Sequence, residues 1–327
     1  MSGRLAAVVA TAFLGGVGMI APAVELPRKL PGGIGALPAM AVAESRKVEL
    51  GRLLFFDRRL SGDRQSSCAT CHRPDKGFAD GLPTAIGFGG KVLRRHTPTV
   101  LNSAYNDAQF WDGRASTLEE QAVGPITAVD EMNLPDENEL VSRLSGVARY
   151  RELFAQVFHA PPSRRRAVEA IAAYERTLTT GNSRFDRFAR GDGGALSEGE
   201  KRGLLLFVGK AACSQCHLGP NFTDNQFHNI GLHGHAGAEP DLGRYGVTHD
   251  AAARGAFKTP TLRNVALTSP FMHDGSLPTL RDVVDYYDKG GEKNDHKSEK
   301  IFKLGLSEDE KRDLIAFLET LTGSATP

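Results

Sequence analysis

The chain has 327 residues, 40% of them hydrophobic and 24% charged. That composition excludes a disordered chain, a collagen and a multi-span membrane protein. Forty Lys and Arg against 39 Asp and Glu leave a formal charge of +1, which excludes the strong field of a nucleic-acid binder or an anionic-membrane binder.

At about 100–200 residues per domain, the length predicts two domains. The first element is a targeting segment: Arg4, an apolar run over 5–20, then Ala21-Pro22-Ala23 as a cleavage site. A membrane anchor is the alternative; Gly15, Gly16 and Gly18 weaken it, and the run is shorter than the ~20 residues that span a bilayer. Residues 1–23 therefore read as a signal peptide, and the remainder as an exported protein of the bacterial periplasm. An amphipathic helix is predicted over 49–55 and another over 164–178, the latter burying Val168, Ile171, Ala172 and Leu178. Gly191-Asp192-Gly193-Gly194 reads as the boundary between domains 24–190 and 191–327. Ser197 and Glu200 form a capping box ahead of a helix running to Phe207, and Ser307 and Glu310 form another ahead of a helix stopped at Gly323. A short helix over 279–287 is ended by Gly290-Gly291. Alternating strand patterns are scarce.

The four cysteines carry the chemistry. Cys68-Ala69-Thr70-Cys71-His72 and Cys213-Ser214-Gln215-Cys216-His217 are both C-x-x-C-H, 145 residues apart, and use every cysteine in the chain. Export favours disulfides, and four thiolates suit zinc. Neither explains a histidine in the same place after each pair, nor does a redox C-x-x-C. The pattern reads as attachment of two c-type haems, each held by two thioethers and a proximal histidine. The helices ahead of the motifs are also alike: Glu49-Leu50-Gly51-Arg52-Leu53-Leu54-Phe55 and Glu200-Lys201-Arg202-Gly203-Leu204-Leu205-Leu206-Phe207. The predicted fold is mainly α, with two cytochrome c-like haem domains joined by long connecting loops.

With both motifs placed, the chain resembles the bacterial di-haem cytochrome c peroxidases, including their MauG branch. The matching stretches include Leu54-Phe55-Phe56-Asp57, Thr97-Pro98-Thr99-Val100-Leu101-Asn102, Phe110-Trp111-Asp112-Gly113-Arg114, Thr259-Pro260-Thr261-Leu262-Arg263-Asn264 and His273-Asp274-Gly275-Ser276. The resemblance implies a peroxide site at the N-terminal haem and an electron-storing C-terminal haem. His72 and His217 would be the proximal ligands. Glu131 corresponds to the catalytic glutamate, Gln121 to a glutamine of the same pocket, and Trp111, the only tryptophan, to a residue between the haems. Taken without the resemblance, Glu131 is one acid among 39, Gln121 sits in what reads as an exposed helix, and Trp111 is a core aromatic.

Where reductively activated relatives carry a distal histidine, this chain has Phe88, which predicts a first haem open to peroxide as isolated; His96 swinging in as ligand is the alternative. Tyr287 occupies the position of the sixth ligand of the second haem, methionine in the peroxidases and tyrosine in the MauG branch. Met272 reads as packing and His273 as a hydrogen-bonding residue. A calcium site would use Thr268 and Pro270, but its usual asparagine is replaced by His96, which puts the ion in doubt. His228, His233, His235 and His249 read as a loop near the second haem, with metal binding as the alternative. The expected partners are hydrogen peroxide and either a small cytochrome c or cupredoxin donor, or a protein whose side chains are oxidised, as in MauG. A di-haem electron carrier without peroxide chemistry and a redox sensor are the competing readings.

Overall fold

The computed structural model describes residue 26 and residues 30–41, 43–232 and 239–325. The predicted signal segment, His233 and His235 lie outside them. The described residues form eleven α-helices: α1 (Ser45–Phe55), α2 (Cys68–Cys71), α3 (Leu118–Thr127), α4 (Glu137–Ser145), α5 (Ala148–Phe158), α6 (Arg164–Glu175), α7 (Arg184–Ala189), α8 (Glu198–Val208), α9 (Tyr245–Thr248), α10 (Leu280–Asp288) and α11 (Glu308–Glu319). Four two-residue strands make two small antiparallel pairs: β1 (Thr180–Gly181) with β4 (Ser324–Ala325), and β2 (Phe227–His228) with β3 (Phe257–Lys258). The fold is mainly α, as the scarcity of alternating patterns predicts.

Two hydrophobic clusters form the interior. The first gathers Leu50, Leu54, Phe55, Ile126, Phe154 and Ile171, and the second Phe185, Leu204, Phe207, Phe222, Phe317 and Leu321. The same device builds both. In the first, α1 crosses α6 at Gly51, where an added Cβ would sit 1.8 Å from the Ala170 carbonyl oxygen. In the second, α8 crosses α11 at Gly203, where it would sit 2.0 Å from the Asp313 carbonyl oxygen. Only glycine permits so close an approach. A phenylalanine follows each glycine by four residues, on the same helix face. Phe55 meets Tyr174 edge-on at 5.3 Å, and Phe207 packs on Phe317 at 5.2 Å. Both capping boxes, at Ser197–Glu200 and Ser307–Glu310, are formed.

Three features depart from the sequence reading. Helix α6 ends at Glu175 rather than 178, with the Thr177 hydroxyl donating to the Tyr174 carbonyl just past its end. Helices α4, α5 and α7 have no counterpart among the predicted elements; their apolar faces are only a few residues long and are stabilised by packing. The clusters part between Leu178 and Phe185, ahead of the glycine run at 191–194, and Ile34 packs into the second cluster although it precedes the first. Arg263 is the reason for the last arrangement. It is 1% exposed and donates to the carbonyls of Pro220 (2.7 Å) and Gly35 (2.9 Å) and to Asp186 Oδ2 (3.1 Å). One guanidinium thus ties the N-terminal strap, α7 and the second motif loop together. Removing one partner of a buried ion pair costs about 3–5 kcal/mol. Arg263→Met should therefore lower unfolding stability by roughly that amount, read as a shifted urea midpoint.

Candidate active site

The first motif is wound into α2, whose capping box joins Ser67 and Thr70. Cys68 and Cys71 are three residues apart, so their side chains share one face of the turn. The His72 backbone N–H donates to the Cys68 carbonyl at 2.9 Å, fixing the ring beside that face. His72 Nδ1 lies 3.2 Å from the Phe78 carbonyl oxygen. A carbonyl only accepts, so Nδ1 carries the proton and Nε2 keeps its lone pair. Burial pushes the imidazole toward its neutral, metal-binding form.

The second motif repeats this geometry without sharing the helix: Cys213 to Gln215 form a tight 3-10 turn. The His217 N–H again donates to the Cys213 carbonyl at 2.9 Å, and His217 Nδ1 lies 3.0 Å from the Phe222 carbonyl oxygen. Burial holds this ring neutral as well. The four cysteines form no disulfide. A neutral histidine whose second nitrogen is tied to a carbonyl is the usual preparation of a metal ligand.

Each motif opens on a cavity. The C-terminal cavity is the larger and mostly apolar; Cys213, Cys216 and His217 line it together with Tyr287, Phe271 and Leu304. Tyr287 is pushed up in pKa by burial beside Cys213 and Cys216. Tyr286 turns away, donating its hydroxyl to the Ile230 carbonyl at 3.2 Å. Met272 and His273 also line this cavity, with His273 stacked on Phe257 at 3.6 Å. His228 lies there too, bonded to Asp224 Oδ2 at 2.8 Å and held protonated to about 9, first by that bond. Cys216, Asp224 and His228 together could hold a metal ion. A thioether at Cys216 would remove its thiolate, so the trio belongs to the cofactor pocket. His249 closes α9 away from the cavity, edge-on to Tyr245.

The N-terminal cavity is lined by His72, Gln121, Trp111, Ser103, Glu175 and Lys258, among others. Gln121, on α3, thus faces the cavity rather than solvent. Glu131 is not part of this lining. It sits in the loop after α3, where burial raises its carboxyl above the ordinary range and Arg114 partly offsets that. Phe88 lies in the turn 88–90, its edge toward Gly62 and its N–H donating to the Asp130 carbonyl at 3.0 Å. Two residues that the sequence reading passed over also stand in the cavity. Ser103 Oγ and Glu175 Oε2 are both buried without a hydrogen-bond partner. Such orphans mark a pocket shaped for a polar occupant. The paired thiols and the two neutral histidines fit a covalently held haem.

Trp111 lines both cavities. Its Nε1–H donates to the His96 carbonyl at 2.9 Å, and its own carbonyl accepts from the Lys258 N–H at 2.8 Å. Lys258 likewise lines both cavities, and burial lowers its ammonium to about 8. The neighbouring loop is clamped by Arg95, which bonds Asp112 Oδ2 at 2.6 Å and both carboxylate oxygens of Asp241 at 2.7 and 2.9 Å. Asp112→Asn should loosen this clamp, and a faster backbone amide exchange around Trp111 than in the parent is the expected readout.

His96 is buried against the C-terminal cavity, with Nδ1 2.8 Å from the Leu82 carbonyl oxygen; it does not line the N-terminal cavity. Thr268 and Pro270 lie nearby in the same lining. Calcium takes six to eight oxygens. The His96 imidazole, already bonded to the Leu82 carbonyl oxygen, offers it none.

Two C-x-x-C-H pockets in one mainly α chain, sharing a tryptophan wall, have the make-up of a double-haem redox protein. Residues 45–194 match the family described as di-haem cytochrome c peroxidase. The methylamine utilization protein MauG of Methylorubrum extorquens is 48% identical over 277 residues, 84% of this chain and 78% of that protein. The cytochrome c551 peroxidase of Nitrosomonas europaea is 38% identical over 292 residues, 88% of this chain and 83% of that protein. The crystal structure of a MauG-like protein associated with microbial copper homeostasis superposes with a TM-score of 0.81 at 34% identity, covering 93% of this chain and 96% of that one. The chain belongs to the di-haem cytochrome c peroxidase and MauG family. It is an oxidoreductase acting on peroxide, so the reading as an electron carrier without peroxide chemistry is set aside.

Proposed function

We propose that this chain is an exported, periplasmic di-haem peroxidase. Its N-terminal pocket takes hydrogen peroxide, its C-terminal pocket handles electrons, and Trp111 connects them. The observation that carries this reading is Trp111 standing in the walls of both cavities. Cys68 and Cys71 would bond one haem and Cys213 and Cys216 the other, with His72 and His217 as proximal ligands. Tyr287 is the candidate second protein ligand for that haem, since it and His217 line the same cavity. When bound, the haems supply the electrons and the metal at which peroxide is reduced.

The chain supplies the remaining steps. Glu131, outside the cavity lining but near enough for its charge to act on Cys71 of the first motif, is assigned the transfer of a proton from one peroxide oxygen to the other, the work of a general base and then acid. Gln121 presents an amide to the cavity and steadies charge as the O–O bond parts. Phe88 has no atom with which to ligate, so nothing at that position closes the first pocket. Electrons come from a small cytochrome c or cupredoxin, or, MauG-like, from side chains of a partner protein. Tyr287 favours the second outlet, because a hard anionic donor stabilises oxidised iron.

The test is electron paramagnetic resonance of the oxidised, haem-loaded protein. One high-spin and one low-spin ferric signal are expected, with the high-spin signal lost on adding peroxide without a reductant. Two low-spin signals would overturn the open first pocket.

A further inference from the structure

Reduction of one hydrogen peroxide breaks its O–O bond, takes two electrons from two molecules of a reduced one-electron carrier such as ferrocytochrome c, and takes two protons to form two waters. The shuttle at Glu131 only moves a proton from one peroxide oxygen to the other. The two protons consumed must come from outside the substrate.

Among the described residues, Glu175 is the one carboxylic acid in the lining of the N-terminal cavity. It is the last residue of α6, 4% exposed, in the lining of the N-terminal cavity with His72 and Gln121. Its Oε2 has no hydrogen-bond partner. A buried, unpaired carboxylate is costly, so the group is kept neutral and carries a proton. Burial, opposed by Arg176 and reinforced by Glu119, raises it to about 8. The charged and titratable groups around it are Tyr174 on α6, Arg176 just beyond it, Glu119 on α3, and Cys68 on α2, whose thiol a haem thioether would take up. Lys258 shares the cavity.

The way out is also built. Arg176 Nη1 and Nη2 bond the two carboxylate oxygens of Glu119 at 2.7 and 3.0 Å. The Glu119 side chain is 32% exposed, so it meets solvent on one side and the field of Glu175 on the other. The neighbouring hydroxyl of Ser103, buried and unpartnered in the same lining, gives the cavity a second polar group able to pass a proton.

We propose that Glu175 is the proton donor of the N-terminal cavity, releasing its proton inward to the oxygen that leaves as water and regaining it from solvent at the Glu119–Arg176 pair. This rests on the N-terminal pocket being the peroxide site. In each delivery the Glu175 O–H bond breaks, an O–H bond of water forms, and the carboxylate is reprotonated; two deliveries complete one peroxide. The residue differs from Glu131 in role: Glu131 redistributes the substrate's own proton, and Glu175 imports new ones.

The test is Glu175→Gln in the haem-loaded protein, a substitution that keeps shape and neutrality but holds no transferable acid proton. Three results are expected. Turnover with peroxide and ferrocytochrome c falls at least about tenfold, within the range for lost acid–base catalysis, with KM for peroxide unchanged. Parent turnover declines as pH rises through about 8, where Glu175 loses its proton, and the variant lacks that limb. An infrared difference spectrum of parent minus variant shows the carbonyl band of a protonated carboxylic acid. Glu119→Gln, at the surface end, should slow turnover without removing that band, and it carries the test if Glu175→Gln fails to load haem. Parent-like turnover in both variants, or no protonated-acid band, overturns the proposal. A parent protein that leaves peroxide untouched overturns the reading of the peroxide site instead.

Discussion

Glu131→Gln is expected to lower peroxide turnover by about a hundred- to ten-thousandfold, the usual worth of a positioned acid–base group. The amide preserves the size of the side chain but can neither take nor return a proton. The absorption spectra of both haems should stay those of the parent, which separates lost chemistry from lost folding. The pH dependence has a definite sign. A general base works only when ionised, so turnover should decline as pH falls through the carboxyl's pKa. Burial raises that pKa above the ordinary glutamate value, with Asp130 adding to the effect and Arg114 opposing it. The acid limb should therefore lie above the usual carboxylate range. Arg114→Ala removes the opposing charge and should move the limb higher still. With the alkaline limb assigned to Glu175, the parent profile is a bell whose two sides belong to two different glutamates. A variant profile identical to the parent's would remove Glu131 from the mechanism.

Tyr287→Met is expected to raise the midpoint potential of the second haem by tenths of a volt, out of the ~0.8 V that axial ligands span. A neutral thioether favours ferrous iron, whereas an anionic phenolate favours ferric. The site has room for the exchange, because Tyr287 faces a cavity walled by Phe271, Leu304 and Val284, and methionine adapts to such surroundings. Burial beside Cys213 and Cys216 disfavours the free phenolate, so a bound haem iron would have to supply the charge that favours it. A spectroelectrochemical titration reads the result. An unchanged potential would reduce Tyr287 to a packing residue.

Much of this was legible in the chain because the chemistry needs fixed spacing. C-x-x-C-H places two thiols and an imidazole on one turn, and that turn forms as α2 at Cys68–Cys71 and as a 3-10 turn at Cys213–Gln215. The helices ahead of both motifs were legible from their similar apolar runs, whereas the close crossings at Gly51 and Gly203 became visible only in the structure. Glu175 was not legible. It follows an alanine-rich stretch with period 3.6, and there it reads as one more polar end of a helix. What marks it is burial without a partner, which depends on what α3 and the first motif leave open around it. The strap at Ile34 was hidden for the opposite reason: it has no regular period, and its place is fixed by Arg263, 229 residues further on.

That strap bears on the order in which the molecule assembles. Ile34 and the Gly35 carbonyl leave the ribosome before any of the first cluster, yet Ile34 packs in the second cluster and the Gly35 carbonyl accepts from Arg263. The first half can close around its own core as soon as α6 is made. The strap has to wait until Arg263 emerges and then be drawn back across more than two hundred residues. The two halves are therefore not beads on a string. Trimming the chain ahead of residue 40 would damage the half farther away in sequence, and pulse proteolysis during refolding should find the strap among the last segments to gain protection.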